Sequence, residues 1–316
     1  MPAAIVPALW AQPVERVVRI GTLRPSARTT STTDPQYAYL RNAMRELGYI
    51  EGRNLVLEER FAGGDLQRLP ALARELVAAR VEVIVAVAAT AARAAREAAP
   101  KTPVVFFGNF DPVAIGLVSD LARPGGMMTG ILIAPDGTLA GKRIELLKAA
   151  VPQATRIGLL LPDEPSIRAQ AQETGKAARA LGVQLVEVTV AQSNYAAAFG
   201  ALVNERVSAL VVAAHNYFVR DRQAIIDLAA KHGLPAIYEW REQVVDGGLM
   251  AYSTSLAGQY RRIAEYVDRI LKGTKPGDLP IERPYRFELV INLKTAKAIG
   301  LAIPQSLLLR ADEVIE

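Results

Sequence analysis

Two periodicities alternate along this chain. Short apolar runs of strand length occur at residues 17–23 (VVRIGTL), 54–60, 82–88 (EVIVAVA), 104–107, 128–133, 156–161 (RIGLLL), 183–190, 209–213, 235–238, 249–253 and 286–291. Between them lie longer stretches in which apolar residues recur every third or fourth position, the signature of a helix with one buried face. Tyr37, Leu40, Met44 and Leu47 share such a face, with Gly48 placed to end the helix; Leu69, Leu72, Ala73, Leu76 and Val77 mark the next. Tyr260, Ile263, Val267 and Ile270 form another, within a helix expected over residues 256–271. The run at 82–88 is continuously apolar and β-branched, as expected of a strand covered on both faces. Strands alternating with helices predict parallel sheets built from βαβ units. After the turn at residues 134–137 (APDG) the alternation starts again, which predicts two α/β lobes.

One stretch concentrates polar residues at a strand end. Residues 104–131 read VVFFGNFDPVAIGLVSDLARPGGMMTGI. The apolar run breaks at Gly108, Asn109 and Asp111 follow, and Asp111-Pro112 is a strong helix start, so a helix is expected from there to the Pro124-Gly125-Gly126 break. Thr90 is placed in the same way to cap an Ala-rich helix reaching Ala99. In an open α/β sheet ligands bind beyond the carboxyl ends of the strands, so this loop is expected to form one wall of a ligand cleft.

Composition narrows the partners. With 316 residues the chain is long enough for two domains, and half of it is apolar. The formal charge of +5 is dispersed, as at Arg93/Arg96, Lys142/Arg143 and Arg261/Arg262, without a dense basic block, so a solvated basic surface and no nucleic-acid partner is the expectation. No cysteine is present, which removes disulfides, a thiolate nucleophile, a Cys-held metal and a lipid-anchored cysteine. His215 and His232 are too few for a histidine-based metal site, and no apolar run reaches the ~18 residues of a membrane span. Residues 1–11 (MPAAIVPALWA) look like the back half of a signal peptide without its basic start; residues 1–16 are expected to be a residual leader or flexible tail on an exported protein.

Enzyme signatures are missing. No G-x-G-x-x-G follows the first strand, and no G-x-S-x-G is found. Residues 137–143 (GTLAGKR) imitate a P-loop but are one residue short between the glycines, and Arg143 stands where a magnesium-binding Ser/Thr belongs. What remains is a set of aromatic residues near strand ends (Phe107, Phe110, Tyr217, Phe218, Tyr238, Trp240, Tyr252) joined by Thr90, Asn109, Asp111, Asp163, Glu164, His215, Asn216, Glu239 and Ser253. An apolar pocket with a few placed polar groups describes a small-molecule site. Each residue also has a local explanation: Thr90 and Asp111 as caps, Phe107 and Tyr238 as core.

The motif DPVAIGLVSDLARPGGMMTGI, together with LRNAMRELGYIEGRNL, KRIELLKAAVPQATRIGLLL and the closing YVDRILKGTKPGDLPIERPYRFELVINLKTAKAIGLAIPQSLLLRADEVIE, resembles the ABC-transporter solute-binding proteins that include tryptophan- and tyrosine-type uptake receptors. The resemblance covers nearly the whole chain. It implies a type I periplasmic-binding-protein fold of two lobes, each a parallel sheet flanked by helices, joined by three hinge crossovers. It further implies no catalysis, no cofactor or metal, a periplasmic monomer, and delivery of ligand to membrane permease subunits. Mapped here, one lobe holds 17–133 plus 254–284 and the other 136–252 plus 285–316, with hinges near Ala134-Pro135, Ser253 and Pro284. The expected ligand-binding residues are Arg24, Ser26, Thr90, Gly108, Asn109 and Asp111 from one lobe. Asp163, Glu164, His215, Asn216, Tyr217, Tyr238, Trp240 and Tyr252 come from the other. The first loop departs from the aromatic-amino-acid receptors: Arg24 and Arg28 supply cations and no acid, and Arg241 adjoins Trp240. That favours an aromatic ligand bearing a carboxylate and leaves its amine in question. Three rivals stand beside this reading: a receptor for a non-aromatic solute (an aliphatic amino acid, vitamin or nucleoside), the sensing domain of a transcription regulator, and an enzyme using Asp111 and His215 in the same cleft.

Overall fold

The computed structural model describes residues 16–28, 35–133, 138–164, 167–191, 193–283 and 286–316. The leader reading of residues 1–11 and the expected hinges at Ala134-Pro135 and Pro284 lie outside them. The described residues form two sheets. Strands β1 (Val18–Arg24), β2 (Leu55–Phe61), β3 (Val83–Val87), β4 (Val104–Gly108) and β5 (Met128–Leu132) build a five-stranded sheet in the order β2-β1-β3-β4-β5, every pair parallel. All residues of β3, β4 and β5 are buried, which accounts for their unbroken apolar sequence. One face, carrying Val83, Val85, Val105 and Phe107, packs against α1 (Pro35–Glu46) and α10 (Leu256–Leu271). The other, carrying Ile84, Ala86, Val104 and Phe106, packs against α2 (Leu69–Ala78) and α3 (Ala88–Ala98).

The second sheet has seven strands in the order β12-β11-β10-β9-β8-β6-β7. Its strands are β6 (Arg156–Pro162), β7 (Gln184–Val190), β8 (Ala209–Val212), β9 (Ala236–Tyr238), β10 (Met250–Ser253), β11 (Glu288–Asn292) and β12 (Glu313–Ile315). From β7 to β10 it repeats the first sheet's order, each lobe's first strand lying between its second and third. Helices α4 (Thr138–Ala150), α5 (Arg168–Ala180), α6 (Tyr195–Asn204) and α8 (Arg222–Lys231) contribute buried residues to this lobe's core. Beyond β10 the direction changes: β11 pairs antiparallel with β10, and β12 runs parallel to β11. The second sheet is therefore parallel with a reversed two-stranded edge, supplied by residues that follow α10 in sequence.

The helix expected after Asp111 is replaced by turns. Ile115 N–H still bonds to Asp111 O, but Gly116 adopts φ +68 and the chain turns there. Asp120 then caps the N–H groups of Ala122 and Arg123, starting a second turn. A left-handed residue this early leaves a single turn, and the β-branched residues around it add little propensity for more. Three short helices went unpredicted: α7 (Asn216–Arg220), α9 (Arg241–Val245) and α12 (Gln305–Leu308). So did β12. Each is too short to show a period.

Candidate ligand cleft between the lobes

Both sheets direct the carboxyl ends of their central strands at a common cleft of about 80 Å³. The first lobe lines it with Pro25, Val87, Ala88, Ala89, Thr90, Phe107, Gly108, Asn109, Phe110 and Ile133; the second with Glu164, Ile167, Gln170, Ala214, His215, Val219, Glu239 and Trp240. The lobes touch around it. Leu139, Val219 and Trp240 pack into the apolar cluster of the first lobe, and Asn109 Nδ2 donates to Glu239 Oε1 at 2.9 Å. At the rim, the Tyr39 hydroxyl on α1 donates to Glu242 Oε1 on α9 at 2.5 Å.

The first wall is shaped by backbone. Strand β3 passes into α3 without a loop, which is possible because Ala88 takes the left-handed conformation at φ +73. For a non-glycine residue that costs about 1–2 kcal/mol, and such strain is tolerated where the surroundings fix it. No side chain caps α3, so its first turn presents the positive end of the helix dipole at the cleft. Thr90 lies inside that first turn and lines the cleft; the cap expected of it is not formed. Gly108 has φ +156, and a Cβ there would lie 3.1 Å from the Phe110 ring and 3.4 Å from Ala88 Cα. Only glycine lets the two strand ends approach this closely.

The second wall carries the titratable groups. Tyr217 N–H donates to His215 Nδ1 at 3.3 Å, which places the proton of the neutral ring on Nε2, 3.2 Å from Glu164 Oε2. The Tyr217 hydroxyl also donates to Glu164, and burial first, then this carboxylate, pushes the phenol up to about 12. Gln170 on α5 clamps the backbone before His215, its amide donating to Ala214 O at 2.8 Å and accepting from Ala214 N–H at 2.9 Å. Glu239 is 4 % exposed. Burial holds its carboxyl above the usual carboxylate range, opposed only in part by Arg143, the Asn109 amide, His215 and the Trp240 side chain. Gln243 accepts from Trp240 N–H at 2.9 Å, closing the first turn of α9 beneath the Trp240 ring.

Of the fourteen residues expected at the site, Thr90, Gly108, Asn109, Glu164, His215 and Trp240 line the cleft. Arg24 is 2 % exposed and is placed toward the Tyr260 hydroxyl, 3.5 Å away; Ser26, also buried, flanks the lining residue Pro25. Asp111 accepts from the N–H groups of Val113 and Ala114, the local capping role the sequence allowed. Tyr217 stands edge-on to His215 and is not among the lining residues. Tyr238 lies in the second lobe's core at 1 % exposure, and Tyr252 packs beside Phe287. Asp163 is not among the lining residues, and the side chain of Asn216, in α7, lies outside what the structure describes. Arg241 is ion-paired with Glu313 at 2.6 Å, away from the cleft. Arg28 lies 3.9 Å from Glu59, so none of the three cations that favoured a ligand bearing only a carboxylate is among the lining residues. Sequence reasoning named Glu239 and the aromatics Phe107 and Phe110 as strand-end residues without selecting them for the site. Gln170, Ile167 and Val219 carry no sequence signal, because helix faces directed at a cleft and at a core look alike. Among the described residues no cluster of acids and histidines is placed to hold a metal ion, and no helix is long and apolar enough to cross a membrane.

This geometry has close relatives. A conserved domain protein from Vibrio cholerae superposes with a TM-score of 0.83 at 24 % identity, over 95 % of this chain and all of that one. An ABC domain from Streptococcus pneumoniae in complex with L-Trp gives 0.82 at 25 % identity, over the same shares. The tyrosine-binding protein of Clostridioides difficile is 26 % identical over 261 residues, covering 82 % of this chain and 74 % of that protein. The family model for ABC transporter substrate binding proteins matches residues 31–315, nearly the full length. The chain belongs to the ABC transporter substrate binding protein family.

Proposed function

We propose that this protein is the extracytoplasmic receptor of an ABC importer and that its ligand is an aromatic amino acid, carrying both a carboxylate and an ammonium group. The observation that carries the reading is the opposition of charges across the cleft. Glu164 and Glu239 face it from one side, the uncapped start of α3 from the other, and among the described residues no arginine or lysine lines it. An ammonium group suits the acids, and a carboxylate suits the helix N-terminus. Phe107, Phe110, Ile133, Val219 and Trp240 supply apolar surface for a ring. The L-Trp bound by the pneumococcal relative and the tyrosine named for the clostridial one support the same class.

Capture then works by population shift: the lobes open and close, and ligand favours closure because it contacts both walls at once. The lobe boundaries belong to this reading. Residues 17–133 with 254–284 move as one body and 136–252 with 285–316 as the other, supported by the packing of α10 on the first sheet and of β11 and β12 in the second. We place the protein in the periplasm as a monomer without catalysis, handing ligand to membrane permease subunits. Calorimetric titration with L-tyrosine, L-phenylalanine, L-tryptophan, benzoate and hydroxycinnamate tests the ligand class. Binding of the amino acids is expected; binding of the amine-free acids alone would sink the reading.

A further inference from the structure

Arg143 does not line the cleft, yet it backs the deepest charge that does. It projects from α4, is 2 % exposed, and its Nε donates to the Tyr252 carbonyl near the end of β10 at 2.9 Å. Its Nη2 lies 3.8 Å from Glu239 Oε1, a charge contact rather than a hydrogen bond, and that nitrogen makes no hydrogen bond of its own. The same carboxylate oxygen accepts from Asn109 of the opposite lobe. A guanidinium keeps its proton in any folded protein, and a lone buried cation is strongly unfavourable, so Arg143 requires an anion. Glu239 is the carboxylate that faces it.

The groups facing Glu239 come from four elements: Arg143 on α4, Asn109 after β4, His215 after β8, and the indole of Trp240 at the start of α9. Glu164 stands beyond His215. Only Arg143 among them carries a permanent positive charge. We propose that Arg143 is a positioning residue for ligand capture, holding Glu239 as an anion aimed into the cleft so that the charge offered to the ligand's ammonium group is set from behind the wall. The inference rests on the amino-acid reading above. Without Arg143, the largest of the groups that oppose burial is gone, and the balance shifts toward the neutral carboxyl, which attracts an ammonium group far less. The Tyr252 contact ties the same guanidinium to the strand that leads out of the lobe toward α10, so the anionic wall and that exit strand keep a fixed relation.

Titration calorimetry with L-tyrosine, L-phenylalanine and L-tryptophan at about pH 6 and about pH 8 compares a condition that favours the neutral form of a raised carboxyl with one that favours its anion. Wild-type affinity is expected to be nearly equal at the two values. Arg143→Met is expected to bind at least about ten-fold more weakly at the lower pH and to recover at the higher, Arg143→Lys to restore a flat profile, and Glu239→Gln to stay weak at both. An Arg143→Met protein weakened equally at both, or not at all, overturns the proposal. A second measurement needs no ligand and no Arg143 variant. In ligand-free wild-type protein the Glu239 Cδ resonance, assigned by its loss in Glu239→Gln, is expected to report a carboxylate at about pH 6. A protonated carboxyl there overturns the role of Arg143. Failure of all three amino acids to bind defeats the functional reading instead, and the resonance still decides the role of Arg143.

Discussion

The two walls of the cleft are built from the same strand order and do opposite work. Among the described residues the first lobe contributes no titratable side chain to the cleft: its surface is aliphatic, aromatic, hydroxyl and carboxamide, shaped by a left-handed Ala88, a glycine at 108 and the bare start of α3. The second contributes Glu164, His215 and Glu239, each held by partners behind the surface. Fixed backbone dipoles and ionisable side chains are thus segregated to opposite jaws. Such a receptor can vary its preference for ligand charge through one jaw without disturbing the shape offered by the other.

Substitutions on the two walls should therefore fail in different ways. The largest effect is expected from Glu239→Ala, which strands a buried guanidinium. Breaking such a pair costs about 3–5 kcal/mol, read as a fall in the chemical unfolding midpoint, and Arg143→Met combined with it should recover much of that loss. Equal loss in the single and double variants would show that the charge on the second wall needs no compensation. On the first wall Gly108→Val should cost about 1–3 kcal/mol by crowding Phe110 and Ala88 and should abolish ligand binding in the same calorimetric assay. Tyr39→Phe removes the rim contact between α1 and α9, which shifts the balance toward the open form by about 1 kcal/mol; a larger radius of gyration by small-angle scattering in the absence of ligand checks it.

A smaller effect belongs to the second wall alone. The Tyr217 phenol titrates higher in the folded state than its ordinary 10.0, at about 12. Its contribution to stability is full below the unfolded value and is lost as pH rises through the folded one. Urea unfolding between about pH 9 and 12 should show a smaller loss in Tyr217→Phe than in the wild type, the other raised phenols, such as Tyr39 and Tyr49, keeping their share. The smallest effect is at Arg241. Its pair with Glu313 is exposed, so Arg241→Ala should cost no more than about 1 kcal/mol and leave ligand affinity unchanged. A marked loss of affinity there would return a cation to the recognition scheme.

The architecture was legible in the sequence because its signals are periodic. The β-branched run that became β3 and the four-residue rhythm of Tyr260, Ile263, Val267 and Ile270 reflect burial on known faces, and all four α10 residues lie in the first lobe's core. The site was legible only where a strand ends in a polar or glycine break, as at Gly108-Asn109 and at His215. Tyr238 and Asp111 look equally exposed to function in one dimension, yet one faces a core and the other bonds its own backbone. Their destinations depend on which side of a strand faces which helix, and a sequence does not carry that. Arg143 shows the converse. It looked like a failed phosphate loop and proved to be the buried neighbour of the cleft's innermost acid.

The order in which the chain visits its lobes has a consequence for how the protein is made. The five-stranded sheet is spelled out by residue 132, but one of its faces stays bare until α10, and the second sheet gains its reversed edge only from residues later still. A nascent chain leaving the ribosome would carry an open apolar surface from the first lobe throughout synthesis of the second. Premature collapse is thus discouraged by connectivity itself, since neither half has all its pieces until both are nearly complete.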